Sequence, residues 1–218
     1  MEPVKQRRKS IRLKDYDLPR EMIKHNYSNK YSGIILSHGV NSRDGYYFVT
    51  ICNKNREEYF GQISGDEMIL NECGKIARQN WLEIPDHFED VKLDEHVILP
   101  NHIHGIVIID SGDEPVGNRH ACSLQERQYQ KLTVVIGSNK SAVTREINQI
   151  QNKFHFKWQK SFYDHIIRND RSLHKIRHYI HCNSLKWKYD RENLNIIPVE
   201  QKKDFWKQFL QGSQVKSV

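Results

Sequence analysis

Two short patterns in this 218-residue sequence hold side chains whose types and spacing suit chemistry. The first is Leu99-Pro100-Asn101-His102-Ile103-His104. Pro100-Asn101 reads as a tight turn between two apolar strands, Val91–Leu99 and Ile103–Ile109. Side chains alternate across a strand, so His102 and His104 share one face and Ile103 takes the other. Two imidazoles side by side can hold one metal ion. The second pattern is Tyr179-Ile180-His181-Cys182-Asn183. Asp170 or Ser172 can cap a helix running to about Asn183, with Leu173, Ile176 and Ile180 as its apolar positions. Tyr179 and Asn183 then lie on one face, about a turn apart. A phenol and an amide oxygen on that face, docked on the histidine strand, would set a nucleophile beside a metal site. Taken singly, each pattern has a plainer reading: two surface histidines on a half-polar strand, and an amphipathic core tyrosine.

The elements that must position these residues follow from the rest of the chain. Tyr46–Cys52 is a β-branched and aromatic run that reads as a buried central strand. Glu58–Ile63 and Glu67–Leu70 flank Ser64-Gly65-Asp66, which is hairpin chemistry. Asn71 caps a predicted helix to about Ile84, with Cys73, Ile76, Ala77, Trp81 and Leu82 toward its apolar side and Pro85 as its stop. Ser111 to about Gln130 reads as loop. Gly137-Ser138-Asn139 then introduces a helix to about Gln149, and Trp158–Ile167 forms a last strand. Leaving the hairpin aside, the order is strand, helix, strand, strand, helix, strand. That predicts an α+β fold of the ferredoxin-like, split βαβ kind. Its antiparallel sheet carries helices on one face, with the histidine strand central and the tyrosine-bearing helix added at the C-terminal side. Residues 1–45 read as a basic arm with an extra segment and 46–191 as the folded domain. Residues 192–218 read as a tail with a short packing helix around Phe205, Trp206, Phe209 and Leu210.

Composition narrows the partners. Lys plus Arg number 34 against 27 Asp plus Glu, a net charge of +7, and the pI is 9.1. A basic surplus of this size suits a polyanion. Lys5, Arg7, Arg8, Lys9, Arg12 and Lys14 are either a solvated tail or an arm lying on phosphates. The four cysteines show no close pairing, which fits neither a zinc ribbon nor a disulfide framework and suits a reducing, cytoplasmic setting. Mean hydropathy is −0.78. No apolar run approaches membrane-spanning length, so no membrane partner is expected.

Four segments taken together carry a resemblance: the His-Ile-His after Leu99-Pro100-Asn101, then SNKSAVTREIN, WQKSFYDHIIR and YIHCNSLKW. In this order, from about Arg7 to about Arg191, they resemble the single-tyrosine HUH transposases, and among these the REP-associated tyrosine transposases. The resemblance implies cleavage and rejoining of single-stranded or hairpin DNA by a monomer or homodimer. It implies Tyr179 as nucleophile, forming a 5′-phosphotyrosine, and His102, His104 and Asn183 as ligands of magnesium or manganese. Candidate DNA contacts are Arg7, Arg8, Lys9 and Arg12 in the arm, His165 and Arg168 in the YDHIIR stretch, and Lys186. Lys140 and Arg145 join them at a predicted helix start, where the N-terminus favours phosphate. Ser184 stands where relatives often carry proline. Two other activities fit the same residues: a catalytically silent nucleic-acid-binding protein, and a metal-dependent nuclease that uses water and leaves no protein–DNA bond.

Overall fold

The computed structural model describes residues 40, 44–110, 124–151, 155–190 and 192–195. The basic run with Arg7, Arg8, Lys9 and Arg12, and the expected packing helix near Phe205, lie outside these. A four-stranded antiparallel sheet forms the centre. Its strands are β1 (Gly45–Cys52), β4 (Val91–Leu99), β5 (His102–Ile109) and β6 (Tyr163–Ile167), in the order β4-β5-β1-β6. This is the split βαβ arrangement, with the histidine strand β5 in the interior of the sheet beside β1. The hairpin stands apart as a two-stranded sheet, β2 (Gly61–Ser64) and β3 (Glu67–Leu70). Gly65 takes a positive φ of 62° at its turn, a conformation that costs glycine little.

Among the described residues, four α-helices accompany the strands: α1 (Glu72–Leu82), α2 (Ile84–His87), α3 (Leu124–Gln151) and α4 (Asp170–His181). Asn71 caps α1 as its sequence predicts, accepting from the Gly74 N–H at 3.0 Å. The helix ends at Leu82, before Pro85, which lies in the first turn of α2. α4 is capped by Asn169 rather than by Asp170 or Ser172: its Oδ1 accepts from the Ser172 N–H at 2.9 Å. The last strand is shorter than expected, because Trp158 forms only an isolated bridge to Asn53 and regular pairing begins at Tyr163.

The larger correction concerns α3. It does not start at Gly137-Ser138-Asn139 but at Leu124, within the stretch expected to be loop, and it runs unbroken to Gln151. The apolar spacing explains this. Leu132, Val135, Ile136, Val143 and Ile147 are fully buried and keep helical spacing across the glycine. Their burial outweighs the roughly 1 kcal/mol that a mid-helix glycine costs.

The two sheet faces are packed differently. Tyr47, Val49 and Ile51 of β1, with Ile103, Val107 and Ile109 of β5, point to one face and meet Cys73, Ala77 and Trp81 of α1 and the buried residues of α3. Gly105 belongs to this face. A Cβ there would sit 2.2 Å from the Trp81 ring, so the indole needs the glycine to lie flat on the strand. Tyr46 and Phe48 of β1 and Ile106 of β5 point the other way, to Leu173, Ile176 and Ile180 of α4. The helices are therefore not all on one side: α1 and α3 cover one face, and the tyrosine helix α4 covers the other.

Candidate active site on the tyrosine-helix face

Alternation carries His102 and His104 to the face under α4, as the spacing predicts. Both are buried. Their register neighbours on β1 are Cys52 and Thr50. The hydrogen bonds of Asn101 set the tautomer of His102. Asn101 Nδ2 donates to the carbonyls of Arg56 at 3.0 Å and Glu192 at 2.8 Å. That uses both of its N–H groups and leaves Oδ1 to accept from His102 Nδ1 at 2.8 Å. Neutral His102 thus carries its proton on Nδ1 and presents a bare Nε2. His104 Nδ1 lies 2.9 Å from Thr50 Oγ1, a hydroxyl able to accept its proton. The two Nε2 atoms then face each other at 3.0 Å. Lone pairs so close repel unless a proton or a cation lies between them.

Tyr179 reaches this pair from α4. Its hydroxyl is 3.2 Å from His104 Nε2. The ring meets His104 and Phe48 edge to face, with centroids 5.3 and 6.0 Å away. Phe48 in turn stacks on His104 at 5.2 Å. Lys186 holds its Nζ 5.4 Å from the Tyr179 ring centroid, which puts a positive charge beside the phenol. Tyr163, on β6, pairs with Thr50 of β1. Thr50 pairs with His104, so Tyr163 is two strands from the histidine, roughly 10 Å at ordinary strand spacing.

Asn183 follows α4 and opens a 3-10 helix, Ser184–Tyr189. It is fully buried, and neither its Oδ1 nor its Nδ2 has a hydrogen-bond partner among the described residues. A buried amide in that state calls for a ligand. Asp190 closes the 3-10 helix, and its carboxylate comes within 4.8 Å of ligand nitrogens of both His102 and His104. Two imidazoles and a carboxylate so close together are a donor set that suits a divalent cation. Trp187 covers His102, with centroids 6.0 Å apart.

The remaining candidates divide. His165 pairs with Phe48, so it shares the histidine face, one strand beyond β1. Burial first, and then the charge of Arg168, lowers its pKa. Arg168 itself is exposed at the end of β6. Lys140 and Arg145 lie elsewhere. They are in mid-helix on α3, on the opposite side of the sheet, so the helix-terminus argument for them fails. Lys140 Nζ donates to the Gln159 carbonyl at 2.7 Å. With Arg145, Trp158 and Phe162 it lines a groove of about 1050 Å³. Sequence reasoning did not anticipate Thr50, Asn101 as a histidine partner, or Asp190. Asn101 had a signal, since it directly precedes the histidine pair. Thr50 and Asp190 had none.

No family model matches the chain. An uncharacterised protein of Haemophilus influenzae is 36% identical over 163 residues, covering 72% of this chain and 90% of that one. A second protein of the same organism, provisionally named a REP-associated tyrosine transposase, is 28% identical over 151 residues, covering 68% of this chain and 74% of its own length. Among solved structures, a REP-associated tyrosine transposase bound to a REP hairpin aligns with 69% of this chain and 72% of that one, at a TM-score of 0.42 and 16% identity. The four segments in their order and this named relative, matched along 74% of its length, support the resemblance to the REP-associated tyrosine transposases.

Proposed function

We propose that this protein cleaves and rejoins single-stranded DNA next to a hairpin, with Tyr179 as the nucleophile. The observation that carries the reading is the Tyr179 hydroxyl 3.2 Å from His104 Nε2, within one chain. In the proposed step the Tyr179 oxygen attacks a phosphorus of the DNA backbone. The P–O bond to the 3′-oxygen breaks, that oxygen leaves as a 3′-hydroxyl, and the 5′-phosphate stays on the tyrosine. The new ester preserves a phosphodiester, so a 3′-hydroxyl of another strand can reverse the step without ATP. Family resemblance motivates the substrate class.

His102, His104 and Asn183 would hold a magnesium or manganese ion, with the Asp190 carboxylate in reach. Such an ion, when bound, offsets the negative charge of the scissile phosphate. Phe48 and the stripe of α4 hold the Tyr179 ring against His104. Lys186 holds its ammonium group against the face of the Tyr179 ring. Trp187 packs over the buried His102 ring and so limits water on that side. A silent binding protein has no use for this convergence, and a water-using nuclease has no use for a tyrosine at the histidine pair. The test is incubation of labelled single-stranded hairpin DNA with protein and manganese, read on a denaturing protein gel. A labelled protein band that disappears with EDTA is expected. Free cleaved DNA with no labelled protein would overturn the tyrosine reading.

A further inference from the structure

Strand β4 departs from regular pairing at one point. Leu93 pairs with Val107 and His96 with Gly105, so Asp94 and Glu95 together face the single residue Ile106. This is a β-bulge, a device that re-aims side chains. Leu93 packs toward the α1 and α3 core, and His96 stacks on Trp81 at 6.2 Å. Ile106 points the other way, into the cluster beneath α4. The bulge therefore turns two consecutive carboxylates toward α4. In a regular strand one of them would be driven into the Trp81 face.

Each carboxylate meets a basic side chain on α4. Arg177 Nε donates to Asp94 Oδ1 at 2.9 Å and Oδ2 at 3.0 Å, and Nη2 also donates to Oδ2. Both side chains are about 10% exposed. His181 Nε2 lies 3.2 Å from Glu95 Oε1. Arg177 and His181 are four apart, one turn on the same helical face, and Tyr179 lies between them. The apolar contacts of Leu173, Ile176 and Ile180 are non-directional. They hold α4 down but leave it able to shift. A one-residue slip on a helix rotates it by about 100° and moves it about 1.5 Å. Either change withdraws the Tyr179 hydroxyl from His104.

We propose that the Asp94-Glu95 bulge and its partners Arg177 and His181 form a two-point clamp that fixes the rotation and depth of the tyrosine helix, which makes Asp94 and Arg177 positioning residues for Tyr179. The proposal rests on the strand-cleavage reading for its kinetic consequence, but the clamp itself is a statement about α4. Charged hydrogen bonds between a planar fork and a carboxylate supply the direction that the apolar stripe lacks.

The test uses the full chain and the double variant Asp94→Leu/Arg177→Met. Replacing a buried ion pair by apolar groups of similar volume usually preserves folding, whereas Arg177→Ala alone would strand a buried carboxylate. The expected result has three parts. The hairpin dissociation constant stays unchanged. The single-turnover rate of covalent adduct formation falls about 100-fold, as a displacement near 1 Å can cause. Amide hydrogen exchange speeds up in α4 but not in β1 or β5. Arg177→Lys keeps the charge without the fork and gives an intermediate rate. Adduct formation at the wild-type rate with unaltered α4 exchange in the double variant would overturn the clamp. If the wild-type protein forms no adduct, the strand-cleavage reading fails, and the exchange of α4 amides decides the clamp by itself.

Discussion

The two faces of the sheet are built from the same strands, yet they are different materials. Toward α1 and α3, β1 and β5 present Tyr47, Val49, Ile51, Ile103 and Val107, packed so closely that Gly105 is flat under Trp81. Toward α4, the alternate positions present Thr50, His102 and His104, with Asp190 close by; the Asn183 amide has no hydrogen-bond partner among the described residues. One face supplies rigidity and the other holds polar groups that are costly to bury. A period-2 strand lets a protein set both functions on the same residues' backbone. The well-packed face fixes where the histidines stand, and the less well-satisfied face carries the proposed site.

Substitutions on the two faces should therefore fail in different ways. The largest effect belongs to the polar face. His102→Ala and His104→Ala should each abolish adduct formation while leaving the circular dichroism spectrum and hairpin binding near wild type. A residual adduct within tenfold of wild type would remove the histidines from the reaction. Next, on the packed face, Gly105→Ala should destabilise the fold by about 2 kcal/mol through overpacking against Trp81. A chemical-denaturation midpoint measures it, and an unchanged midpoint would mean that the indole moves freely. Smaller again, Asn101→Ala should lower metal affinity about 10- to 100-fold by freeing the His102 tautomer. Isothermal titration with manganese reads that loss; stability also falls, because the Arg56 and Glu192 carbonyls and His102 Nδ1 lose their partner.

The smallest expected effect is on the acid side. Burial lowers the pKa of His96 on the packed face, and burial with the charges of Lys186 and His181 lowers that of His178 on α4 to about 4. A histidine with a lowered folded pKa binds fewer protons folded than unfolded. Its contribution is thus intact above the ordinary value of 6.5 and is lost as pH falls from there toward 4. Stability should decline over that window, and His178→Gln should make the decline shallower. A parallel decline in the variant would assign the acid sensitivity elsewhere.

What the sequence disclosed is mainly local. The Pro100-Asn101 turn, the cap at Asn71, the hairpin about Gly65 and the shared face of His102 and His104 all follow from neighbours within a few residues. The start of α3 did not, because Gly137-Ser138-Asn139 is a break by propensity and only the packing of Leu132, Val135 and Ile147 overrides it. Asp190 and Thr50 join the site through contacts distant in sequence, and no spacing rule reaches them. The β4 bulge is an intermediate case. Two adjacent acids in Val91–Leu99 interrupt the apolar alternation, a visible sign of irregular pairing, but their partners on α4 become evident only in three dimensions.

Tyr179, fixed on a helix beside the histidine pair, is the proposed attacking residue. Tyr163, next to Asp164 and His165, is the rival on the same face of the sheet, two strands from His104. The direct measurement is covalent adduct formation on manganese-loaded protein with labelled hairpin DNA, comparing Tyr179→Phe with Tyr163→Phe and mapping the DNA-linked peptide. Phenylalanine keeps the ring packing and removes only the hydroxyl. The account predicts that Tyr179→Phe binds hairpin DNA and forms no adduct, that Tyr163→Phe still forms one, and that the linked peptide of the wild-type protein contains Tyr179. An adduct on Tyr179→Phe, or a linked peptide containing Tyr163, would contradict it.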